Sequence, residues 1–105
     1  IMFDNLKSMF GMGTPVDYKT LVKEGAIIID VRSPMEFQSG HIKGSKNIPL
    51  DQLERKLATL KNKNQVVITC CASGMRSASA KGILKSKGYA VVHNGGGWSS
   101  LNNKI

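Results

Sequence analysis

The chain is 105 residues long, 41% hydrophobic and 21% charged, with only 3 prolines. That composition fits one folded domain: the chain is too short for two cores, too apolar for a disordered segment, and has no stretch near the roughly 20 apolar residues of a membrane span. Its net charge of +8 is unevenly placed. All acids, from Asp4 to Glu54, lie in residues 1–55, where seven bases balance them; residues 56–105 carry Lys56, Lys61, Lys63, Arg76, Lys81, Lys85, Lys87 and Lys104 and no acid at all. A one-signed half attracts anions as well as solubilising the chain. Its aromatics, Tyr89 and Trp98, are not interleaved with the bases, so no nucleic-acid platform is expected.

In chain order, Met2, Phe3, Leu6, Met9 and Phe10 form an apolar stripe at helical spacing. Residues 1–13 are therefore expected to form a short N-terminal apolar segment that packs on the domain or a partner. Asp17 is a cap for a short helix that turns Leu21 and Val22 inward and stops at Gly25. Ala26-Ile27-Ile28-Ile29 is apolar without alternation, as in a strand buried on both faces. Ser33-Pro34-Met35-Glu36 is a helix start with cap, first-turn proline and a returning glutamate, and Gly40 ends that helix. Asn47-Ile48-Pro49 is a short extended piece, and Leu50, Leu53, Leu57 and Leu60 mark one face of a helix from Asp51. Val66–Cys70 is a second buried strand. A helix then runs through Ala78, Ile83 and Leu84 to Lys85, Lys87 and Gly88, and Ala90–Val92 is a third strand. Gly95-Gly96-Gly97 breaks the pattern before a final segment with Trp98 and Leu101. Alternating helices and continuous apolar strands predict an α/β fold with a parallel sheet, whose ligands bind at the carboxyl ends of the strands.

The turn at one such end is Cys71-Ala72-Ser73-Gly74-Met75-Arg76-Ser77. A cysteine between a buried strand and a helix start meets unpaired N–H groups and the positive helix end, both of which favour thiolate. The small residues Ala72, Ser73 and Gly74 let the backbone curl so that its N–H groups converge on an anion. Met75 is placed to make the mouth apolar, and Ser77 to add a hydrogen bond or cap the helix. Arg76 either meets the substrate or pairs with a carboxylate such as Glu36. Cys70 continues the apolar strand as a core thiol. Adjacent Cα atoms, about 3.8 Å apart, are too close for an ordinary disulfide. Unbridged thiols point to a reducing, cytoplasmic setting. With no Cys-x-x-Cys and two histidines, a metal site is not expected.

Together, Ile29-Asp30-Val31-Arg32-Ser33-Pro34-Met35-Glu36-Phe37, Gly40-His41-Ile42-Lys43-Gly44-Ser45 with Asn47-Ile48-Pro49, the cysteine turn, and Asn94-Gly95-Gly96-Gly97-Trp98 resemble the single-domain rhodanese family of thiosulfate sulfurtransferases. The resemblance spans residues 14–105. It implies a mostly parallel sheet of about five strands with helices on both faces. It further implies that Cys71 takes sulfur from a small anionic donor such as thiosulfate, forms a persulfide, and hands the sulfur to a thiol, a dithiol protein or cyanide. Ala72, Ser73, Gly74, Met75 and Arg76 would form the binding loop, with Asp30, Arg32 and Ser77 in support and no cofactor. Asp30 and Arg32 are expected to brace the loop rather than touch substrate, His41 to be a hydrogen-bonded structural residue, and the protein to be a monomer without membrane attachment. Two rival functions use the same fold. Phosphatase and arsenate-reductase relatives place five residues between cysteine and arginine, whereas Ala72–Met75 are four. The other is a noncatalytic rhodanese-like binding or sulfur-carrier module; inactive copies often lack the cysteine, whereas this chain keeps both Cys71 and Arg76.

Overall fold

A computed structural model describes residues 15–105, so the apolar segment of residues 1–13 lies outside the described residues. The elements run α1 (Tyr18–Lys23), β1 (Ile27–Asp30), α2 (Pro34–Gln38), β2 (Lys46–Asn47), α3 (Leu53–Lys56), β3 (Val67–Cys71), α4 (Met75–Ser86), β4 (Val92–Gly97) and α5 (Trp98–Asn102). The strands form one sheet in the order β2-β1-β3-β4, every neighbouring pair parallel. Among the described residues these are four strands: β1, β3 and β4 at the three apolar runs, and β2 at the short extended piece; the resemblance led to an expectation of about five.

Local chemistry accounts for the element starts. The Asp17 carboxylate accepts the Thr20 N–H at 3.1 Å and caps α1. Ser33 and Glu36 close a reciprocal capping box, with Pro34 in the first turn of α2. Side chains alternate across the sheet. Ile29, Val31, Val67, Cys71 and Val92 join Leu53 of α3 and Ala80 and Leu84 of α4 in one apolar cluster. Ile28, Ile68 and Cys70 face the other way, toward Leu101 and Trp98 of α5 and Leu21 and Val22 of α1. Helices thus cover both faces.

Several boundaries differ from the expectation, β1 being Ile27–Asp30 rather than Ala26–Ile29 and β2 Lys46–Asn47 rather than Asn47–Pro49. The leucine face is real, with Leu50, Leu53, Leu57 and Leu60 all in the first cluster. The backbone beneath it is broken into 3-10 turns at Leu50–Gln52 and Leu57–Thr59 around the short α3. The second long strand is shifted by one residue to Val67–Cys71 because Cys71 pairs with Gly97. The last strand begins at Val92, not Ala90, and runs through the glycines instead of ending before them.

Packing explains that glycine run. A Cβ on Gly95 would lie 2.8 Å from Leu101 Cδ2 and 2.9 Å from both Ile68 Cγ2 and the Thr69 carbonyl oxygen. One on Gly97 would lie 2.9 Å from the Ala72 carbonyl oxygen. Between Thr69↔Asn94 and Cys71↔Gly97, β4 holds one residue more than β3, a bulge that Gly96 accommodates at φ +81°. The bulge sits beside the cysteine turn.

Candidate active site

From β1 the chain moves out to β2, then returns to the opposite side of β1 for β3. The crevice of such a sheet opens where the order reverses, here beyond Asp30 and Cys71. Two turns meet there: Val31–Ser33 leading into α2, and Ala72–Gly74 leading into α4.

Cys71 ends β3 fully buried, beneath an exposed loop surface at Ala72, Ser73 and Met75. Its Sγ accepts the Gly74 N–H at 2.9 Å and the Ser77 N–H at 3.4 Å, while the thiol lies 3.4 Å from Ser77 Oγ as donor. Gly74 reaches its place only through φ +103°, a backbone region in which a side chain is strained. Burial pushes the Cys71 thiol up, but its hydrogen bonds with the Ser77 hydroxyl and with the N–H groups of Ser77, Gly74 and Ser73 outweigh it. The net shift is below the ordinary cysteine value, toward thiolate. Cys70, one residue earlier and on the opposite face, has no such donors. Burial, aided by the Asp30 charge, pushes its thiol up to about 12.

Asn94 supports the loop from β4. Its Oδ1 accepts the Ser77 hydroxyl at 2.6 Å and the Gly96 N–H at 2.9 Å, and its Nδ2 donates to the Gly74 carbonyl at 3.2 Å. Sequence reasoning gave Asn94 no role. The signal available was its place at the head of the Asn94–Trp98 block, just before a glycine run that the bulge requires.

Arg76 lies across the mouth. Nη1 and Nη2 bind Glu36 Oε1 at 2.7 Å and Oε2 at 3.0 Å, so of its two expected roles the structure places it in the carboxylate pair. Arg76 holds the Glu36 carboxyl at about 2, helped by the Ser33 N–H. Glu36, read from sequence as a helix-capping residue, therefore also tethers α2 to the loop.

Asp30 and Arg32 lie elsewhere. They form a buried ion pair on the Cys70 side, with Arg32 Nη2 2.7 Å from Asp30 Oδ2 and its guanidinium 4.8 Å from the Trp98 ring centroid. Arg32 also donates to the carbonyls of Glu36 and Gly40. The pair therefore braces α2, which Glu36 ties to Arg76 of the cysteine turn. His41 stacks on Phe37 and binds the Phe37 carbonyl through Nδ1 at 2.7 Å, away from the thiol.

A four-stranded parallel sheet, a thiol at its switch point and N–H groups converging on that thiol define a class of α/β domain with a cysteine-led loop. Residues 14–104 match the model of the Rhodanese-like domain, and the chain belongs to that family. It is 43% identical over 74 residues to thiosulfate sulfurtransferase PspE of Escherichia coli (strain K12), spanning 70% of this chain and 71% of that protein. A solved E. coli rhodanese with anions superposes with a TM-score of 0.69 at 39% identity, covering 72% of this chain and 91% of its own. The human single-domain sulfurtransferase TSTD1 gives a TM-score of 0.72 at 27% identity over 83% and 90% of the two chains. Among the described residues no helix is long and apolar enough to cross a membrane.

Proposed function

We propose that the protein is a sulfurtransferase that carries sulfane sulfur as a persulfide on Cys71. The observation that carries this reading is the set of N–H groups aimed at Cys71 Sγ, with Gly74 at 2.9 Å. In the first half-reaction the Cys71 thiolate attacks the outer sulfur of thiosulfate or a similar donor. The Sγ–S bond forms as the donor S–S bond breaks, and sulfite leaves with the bonding pair. The loop N–H groups from Ala72 to Arg76 then face the terminal sulfur anion, as oxyanion donors face a developing charge. In the second half-reaction a thiol or cyanide attacks that terminal sulfur, and Cys71 departs as thiolate. The thiosulfate sulfurtransferase relative and the E. coli rhodanese solved with anions support this chemistry. So does the four-residue spacing from Cys71 to Arg76, one residue shorter than the phosphatase-type loop.

Intact mass after incubation with a sulfane-sulfur donor tests it. One added sulfur atom, kept in Cys70→Ser, absent in Cys71→Ser and removed by cyanide, is the expected result. No added sulfur from thiosulfate or from an organic persulfide would sink the proposal and leave a binding module.

A further inference from the structure

The loop carries one guanidinium, and a carboxylate already holds it. Arg76 and Glu36 meet through two parallel hydrogen bonds, each side chain 38% exposed, so the pair stands at the entrance with no net charge. Thiosulfate is poorly served there. Once its outer sulfur points at Cys71, its sulfonate charge lies at the entrance, where it needs a cation. The +8 net charge of the chain raises the local concentration of anions but supplies no contact. Among the described residues, no cation besides Arg76 lines the cleft at the entrance, whose polar side chains are Ser33, Gln52 and the acidic Asp51. Met35 and Met75, the neighbours of Glu36 and Arg76 in sequence, are 82% and 79% exposed on its two sides. Beside them a cleft of about 460 Å³ is lined by Val31, Pro34, Pro49 and Leu50, with Arg76 and the carboxylate of Asp51.

An organic persulfide, R–S–SH, distributes its chemistry the other way. The sulfur end enters the N–H cradle, and the entrance receives carbon. We propose that Glu36 is a specificity-determining residue: by occupying Arg76 it turns the site from the free thiosulfate dianion toward an organic persulfide, whose R group lies on Met35, Met75 and the Pro34–Leu50 cleft. This deepens the sulfurtransferase reading and rests on it. The step balances as Cys71–S⁻ + R–S–SH → Cys71–S–SH + R–S⁻. The Sγ–S bond forms, the donor S–S bond breaks, and the thiolate leaves with the electron pair.

The test measures the rate at which Cys71 gains sulfur, by quenched intact mass, from thiosulfate and from benzyl persulfide, whose one ionisable group is at sulfur. Glu36→Gln keeps a capping-box side chain while removing the charge. It is expected to raise loading from thiosulfate about five- to tenfold and to change loading from benzyl persulfide by less than about twofold. The variant Met35→Ser is expected to slow loading from benzyl persulfide about twofold or more and leave that from thiosulfate unchanged. Equal thiosulfate loading by wild type and Glu36→Gln, or an equal loss with both donors, would overturn the assignment while leaving the sulfurtransferase standing. Loading of Cys71 by neither donor in any variant overturns both.

Discussion

At the residue scale, two adjacent thiols are given opposite characters by what surrounds them. Cys71 is as buried as Cys70, so exposure does not separate them. The donors on Cys71 do, and an alkylating reagent near neutral pH is expected to modify Cys71 alone, with Cys70 reacting only in denaturant; peptide mapping checks this. Ser77→Ala removes a side-chain hydrogen-bond partner of the Cys71 sulfur that lowers its pKa, so the midpoint of the alkylation-rate pH profile is expected to move upward. A variant affecting only the fold would leave that midpoint in place. Asp30→Ala leaves the Arg32 guanidinium buried without its carboxylate and is expected to cost about 3–5 kcal/mol in urea unfolding. That cost belongs to stability, since the pair faces Cys70 and Trp98 rather than Cys71.

At the element scale, what was legible in the sequence was what neighbours in the chain decide. Asp17, the Ser33–Glu36 box and the β1 isoleucines each act within a few residues, and each is found where the pattern placed it. The cysteine turn was legible for the same reason, since strand, small residues and helix start are contiguous. The path of β4 was not. A glycine run shows only backbone freedom, whereas Gly95 and Gly97 are fixed by Leu101, Ile68 and Ala72, packed against them from other elements. Asn94 escaped notice because the bulge that places it beside Ser77 and Gly74 is a property of two paired strands. The Arg76–Glu36 pair spans 40 positions, and spacing offered it only as an alternative. Gly95→Ala is therefore expected to destabilise the protein by about 1–3 kcal/mol, read as a lower urea midpoint, because one of its close neighbours is backbone oxygen that cannot move aside.

At the scale of the whole molecule, acid and salt act differently. Glu36 titrates from about 2 in the folded chain against 4.5 when free, and Asp17 is also lowered, so the folded state binds fewer protons in that range. Their contribution is present above 4.5 and is lost as pH falls toward 2. Urea midpoints measured through that window are expected to fall with pH, less steeply in Glu36→Gln. Raising sodium chloride from about 20 to 200 mM is expected to slow loading by any anionic donor, as screening shortens the reach of the basic half. The sheet itself sets a further limit. Because Cys70 and Cys71 project from opposite faces of one strand, a sulfur atom carried on Cys71 has no partner thiol inside the molecule to release it. On the proposed sulfurtransferase reading, discharge waits for an outside thiol or cyanide, so a loaded protein separated from its donor is expected to hold its cargo for a time set by the solution around it: a store with a lifetime, emptied on encounter.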